Sequence, residues 1–65
     1  MVSVCVEVEG KIYSTEISLN AYQRLKYCAT IKGRAIRFLL KIIVTKHGEL
    51  TRENILNFLD KKRII

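Results

Sequence analysis

Sixty-five residues make one domain, and a chain of that length buries only about 60% of the surface its unfolded form exposes. Two cysteines and one histidine supply neither a disulfide framework nor the roughly four ligands of a structural zinc, so self-association is the remaining support, in keeping with 49% apolar content. Twelve Lys and Arg against six Asp and Glu leave a formal charge of +6 and a pI of about 9.7, which favours polyanionic partners, nucleic acid before an anionic membrane surface.

Residues 2–8, V-S-V-C-V-E-V, alternate with period two and place four Val on one face, the pattern of a half-buried strand. Glu9-Gly10 punctuates the chain, and residues 11–17, K-I-Y-S-T-E-I, are again β-branched and aromatic. Residues 1–17 are thus a hairpin or one long strand broken at Gly10. A helix is expected over 18–32, capped by Ser18 or by Asn20, whose spacing to Gln23 is that of a capping box. Ala21, Tyr22, Leu25, Cys28 and Ala29 form its apolar stripe, with Gln23, Lys26 and Thr30 opposite. Lys32-Gly33 ends it with a cation in the last turn and a glycine stop.

A second helix is expected over 34–47. Ile36, Leu39, Leu40, Ile43 and Val44 follow helical spacing, and Phe38 and Ile42 add a second stripe. Apolar side chains then cover roughly two thirds of the circumference at 100° per residue, leaving Arg34, Arg37, Lys41 and Thr45 as the polar strip. Such a helix asks for partners on two sides, which points to a subunit interface. Gly48 stops it, and Thr51 can cap a third helix over 51–63 with Ile55, Leu56, Phe58 and Leu59 on its apolar face. Ile64 and Ile65 either dock on the core or close the chain without doing so.

Catalysis finds little support. There is no Ser-His-Asp set and no glycine-rich phosphate loop, and strand carboxylates such as Glu7, Glu9 and Glu16 are ordinarily solvated. We expect no enzyme activity, cofactor, metal or small-molecule substrate. His47 reads as a helix-end residue favoured by the macrodipole, and Cys5 and Cys28 as small core-like side chains. No secretory signal is expected at the amino end, and the longest apolar run, Phe38-Leu39-Leu40 and then Ile42-Ile43-Val44 after Lys41, falls far short of the ~20 residues of a membrane span. A cytoplasmic location is expected. The absence of Pro and the richness in Ile and Lys lean toward a thermophilic source.

The stretch from Thr15 to Ile43 carries a short strand, a Ser cap at Ser18, a helix with Tyr22, Leu25 and Ala29, then Gly33-Arg34 and a second helix with Ile36, Leu39, Leu40 and Ile43. It resembles the ribbon-helix-helix family that includes the Met and Arc repressors. Two departures stand out: Ile36 replaces a polar residue common after the glycine, and a third helix and extra residues before the strand are added. The whole is similar to an elaborated, three-helix form of the kind found in viruses of thermophilic archaea, where the compartment would be the host cytoplasm.

The resemblance implies an α+β fold, a ribbon-helix-helix homodimer with an N-terminal strand extension and a third helix. It also implies a function, sequence-specific binding of double-stranded DNA in transcription regulation. An intersubunit antiparallel ribbon would enter the major groove. One phase of the strand would present Lys11, Tyr13 and Thr15 to the bases, the other Ile12, Ser14 and Glu16. The first is favoured because Glu would repel the backbone, although strict alternation then puts Ile17 on the outer face. Phosphate would be anchored at the start of the second helix by Lys32, Gly33, Arg34 and Arg37. The dimer interface would comprise Ile36, Phe38, Leu39, Leu40, Ile43, Leu56 and Leu59. Two rivals remain: a helix-turn-helix form, which the apolar second helix opposes, and a protein–protein adaptor or antitoxin-like module that uses that helix. Membrane binding is not expected.

Overall fold

The computed structural model describes residues 1–61, a small α+β fold. Strand β1 (Val2–Val8) and strand β2 (Lys11–Ile17) precede helices α1 (Leu19–Lys32), α2 (Ile36–His47) and α3 (Arg52–Lys61). The expected continuation of α3 to Arg63, and Ile64-Ile65, lie outside the described residues.

The first seventeen residues form a hairpin rather than one broken strand. Val2 faces Ile17, Val4 faces Thr15, Val6 faces Tyr13 and Val8 faces Lys11 in antiparallel register. The connection is only Glu9-Gly10, with φ of +53° and +79°. Positive φ at both central residues is what a type I′ turn requires, and that turn matches the twist of the strands it joins. Gly10 takes the conformation freely, whereas Glu9 is strained in it.

One face of the hairpin meets the helices. Val4, Val6 and Ile17 are buried there, with Val8 and Tyr13 packed at the margin. From α1 come Ala21, Leu25 and Ala29, from α2 Leu39, Leu40, Ile43 and Val44, from α3 Ile55, Phe58 and Leu59, and Leu50 joins from the preceding loop. Among the described residues no buried polar side chain interrupts this core. Each large side chain withdrawn from water contributes about 1.5–3 kcal/mol.

The helix ends follow local chemistry. Ser18 Oγ accepts from the Ala21 amide at 3.2 Å, so Ser18 is the cap of α1 and the Asn20–Gln23 box is not used. Gly33, left-handed at φ +66°, closes α1: its amide donates to the Thr30 carbonyl, and the Arg34 amide donates to that of Ala29. That pair of bonds is a Schellman motif. Thr51 Oγ1 accepts from the Asn54 amide at 3.0 Å and caps α3.

Helix α2 begins two residues later than its apolar pattern suggested, at Ile36, behind Ala35. The broad apolar surface of α2 is covered within its own chain only in part. Leu39, Leu40, Ile43 and Val44 pack on β1, α1 and α3, while Phe38 and Ile42 of the second stripe stay 40% and 38% exposed. Leu39, Leu40, Ile43 and Leu59, expected at a dimer interface, are interior residues of the protomer, and Ile36 and Leu56 pack half-buried against the same core. Phe38 alone of that set is exposed.

A candidate nucleic-acid interface

Charge along the chain is uneven in a way that total composition hides. From Ser18 to His47 there are seven cations (Arg24, Lys26, Lys32, Arg34, Arg37, Lys41 and Lys46) and no Asp or Glu. The hairpin carries Glu7, Glu9 and Glu16 against Lys11. Among the described residues the ion pair is Arg24–Asp60 at 3.1 Å, which ties α1 to α3. Both partners are about half exposed or more, so the pair contributes well under ~1 kcal/mol. The cations of α2 have no such partner among the described residues.

The fold gathers part of this charge. An open groove of about 790 Å³ runs between the hairpin and the start of α2. Its α2 wall carries Arg34, Arg37 and Lys41 beside Gly33 and Ala35; its hairpin wall carries Cys5, Val6, Glu7 and Ile12. Arg37 and Lys41 stand one turn apart on the same helix face, where like charges repel by roughly 0.2–0.5 kcal/mol. Among the described residues Glu7 is the one carboxylate lining the groove.

The start of α2 differs from that of its neighbours. Ala35 has extended backbone, φ −76° and ψ 154°, and no side-chain cap hydrogen bond. In α1 and α3 the third amide of the helix donates to the Ser18 or Thr51 side chain; in α2 the Phe38 amide donates to the Ala35 carbonyl at 3.0 Å instead, and the dipole of the helix adds to the positive field. The Arg34 guanidinium lies 4.7 Å from the centre of the Phe38 ring. That stacking, worth about 0.5–1 kcal/mol at an exposed site, holds Arg34 over the helix start. Arg34 and Phe38 also line a smaller hollow of about 360 Å³ with Lys32, Ile42 and Phe58, so this pair forms the partition between two basic recesses.

Lys32, Gly33, Arg34 and Arg37, expected from the sequence to anchor phosphate, are thus brought together at the elbow between α1 and α2, all of them exposed. Lys41 was missed; its i+4 spacing from Arg37 and its place in the polar strip were the signal. The strand residues are placed otherwise than expected. Lys11, Tyr13 and Thr15 share the face of Ile17, which is fully buried against the helices. Tyr13 and Thr15 are accordingly half-buried, and the outward face carries Ile12, Ser14 and Glu16 with Ser3, Cys5 and Glu7. The phase is reversed because burying Ile17 outweighs exposing two side chains that tolerate either side. Cys5 is exposed on that outward face rather than core-like, whereas Cys28 is half-buried.

No group of His, Cys, Asp and Glu able to hold a metal occurs among the described residues, and none of their helices is long and apolar enough to cross a membrane. Compared with known proteins, the chain matches no family model, no curated protein and no solved structure significantly.

Proposed function

We propose that the protein is a non-enzymatic DNA-binding protein that grips the phosphate backbone of duplex DNA with the elbow and first turns of α2. The observation that carries this reading is the groove that collects Arg34, Arg37 and Lys41 beside the uncapped start of α2, within a stretch free of acidic residues. Guanidinium and ammonium groups displace condensed counterions from the duplex, and the release of those ions drives association. The Ile36 and Arg37 amides at the start of α2 offer further donors to phosphate oxygens.

A homodimer suits this reading. The outer edge of β2 has no strand partner among the described residues, so a second copy can add there as in the ribbon-helix-helix arrangement. The sheet would then have four strands and span roughly 14 Å between its outermost axes. That is wider than the major groove, about 12 Å across. Its outward face would also present Glu7 and Glu16 from each copy. Backbone gripping by α2 therefore replaces ribbon insertion as the leading contact, and sequence discrimination, on which a regulatory role depends, falls to side chains of α2 that reach the groove edge.

The test is a mobility-shift titration of duplex DNA over a salt series, with wild type, Arg34→Ala, Arg37→Ala and Lys11→Ala. Arg34→Ala and Arg37→Ala each weaken every duplex alike and lower the salt slope by about one unit. Lys11→Ala leaves the slope within error. Absence of binding at low salt sinks the proposal.

A further inference from the structure

Helix α1 exposes a row of large side chains that the core does not use. Leu19, Tyr27 and Ile31 are 60%, 69% and 62% exposed. With Gln23 they stand at four-residue spacing, which is one continuous ridge along a helix, about 18 Å long. At 100° per residue Lys26 flanks this ridge on one side and Arg24 on the other. Helix α1 contains no acidic residue, and the nearest described carboxylate in contact with it, Asp60, is already taken by Arg24.

We infer that this ridge docks an acidic amphipathic helix of a partner protein. Ridges at i±4 spacing fit the grooves of a facing helix, and burying the three apolar side chains gives the contact its anchors. Charge complementarity selects the partner: carboxylates on the border of its apolar stripe would meet Lys26, which has no ion-pair partner among the described residues. A second copy of this chain is a poorer occupant, since its α1 offers no carboxylate to meet Lys26. Duplex DNA would leave Leu19, Tyr27 and Ile31 without reward. An anionic bilayer rewards a broad apolar face, whereas this is a single row interrupted by Gln23.

The probe is a labelled peptide of about 20 residues, long enough to hold a helix, with Leu at helical spacing bordered by Glu. Its counterpart carries Lys in place of every Glu. Fluorescence anisotropy with the full chain should register the Glu peptide and not the Lys peptide. Tyr27→Ser/Ile31→Ser should weaken the Glu peptide at least about tenfold, while the circular dichroism spectrum and the DNA mobility shift stay at wild-type levels. Lys26→Ala should weaken it by roughly twofold to fourfold, and less at high salt. Equal binding of the two peptides overturns the inference without recourse to any variant, as does undiminished binding by the double variant. So does self-association in sedimentation, or capture by phosphatidylglycerol vesicles, that the double variant abolishes while the Glu peptide goes unbound.

Discussion

Residues 2–17 and residues 18–47 meet in one apolar core, yet their outward surfaces are built on different terms. The hairpin shows water Ser3, Cys5, Glu7, Ile12, Ser14 and Glu16, a face with two acids and no cation. The two helices that follow, with the elbow between them, show seven cations and no acid. Core packing accounts for neither surface, because Val4, Val6 and Ile17 on one side and Leu25, Leu39 and Leu40 on the other are satisfied by one another. The segregation carries a cost: Arg37 and Lys41 repel across one turn, and α2 lacks the cap that α1 and α3 have. A region that accepts like charge beside a helix start with no side-chain cap is suited to an anion from outside the chain.

The comparison breaks most severely if the two regions are not one folding unit. Leu40, buried on the helix that packs against β1, tests this. Leu40→Ala should destabilise the protein by about 2–5 kcal/mol. Hairpin and helices should melt together when followed by tyrosine fluorescence and circular dichroism. Next in size is the charge itself. Arg34→Ala/Arg37→Ala/Lys41→Ala should lower duplex affinity by about 100-fold at low salt and reduce the salt slope by roughly three units, read by mobility shift. Glu7→Gln/Glu16→Gln on the hairpin should alter it by no more than a few-fold.

The remaining two effects sharpen the contrast. Ala35→Ser supplies the missing cap and should stabilise α2 by about 1 kcal/mol in chemical denaturation. Arg37→Glu places an acid in the first turn of α2 and opposite charge one turn from Lys41. It should raise stability by roughly 0.5 kcal/mol while it weakens DNA binding. A variant that is more stable and binds less separates the needs of the fold from those of the surface.

Much of the architecture was legible in the residues. Gly33 and Gly48 end their helices in left-handed conformation, as their positions after cationic last turns implied. Ser18 and Thr51 begin theirs. The stripe of Ala21, Leu25 and Ala29 is buried as its spacing required. Two inferences turned on the same point, that a pattern identifies an apolar surface without naming what covers it. The wide apolar coverage of α2 implied a second subunit; β1, α1 and α3 cover the stripe of Leu39, Leu40, Ile43 and Val44 within the chain, and Phe38 and Ile42 are left exposed. In β2, Lys11, Tyr13 and Thr15 suit either phase, and the deciding residue was Ile17, whose alternation with Thr15 already placed Thr15 inward. For the candidate site, the elbow cations were readable from sequence. The part played by Lys41 needed the groove between α2 and β1, which no local pattern encodes.

The two-residue connection at Glu9-Gly10 also sets the order of events in time. Because the turn fixes which residues of β1 and β2 meet, the hairpin needs no distant contact to find its register. It can close on the scale of about 1–10 μs. Each helix likewise follows its neighbour through a short elbow, and the one long closure is that of β1 onto α2. Mixed folds of this kind reach the native state faster than all-β chains of similar size, though not as fast as helical bundles. A newly made copy would therefore spend little time with the edges of its strands and its valine face open to other unfolded chains.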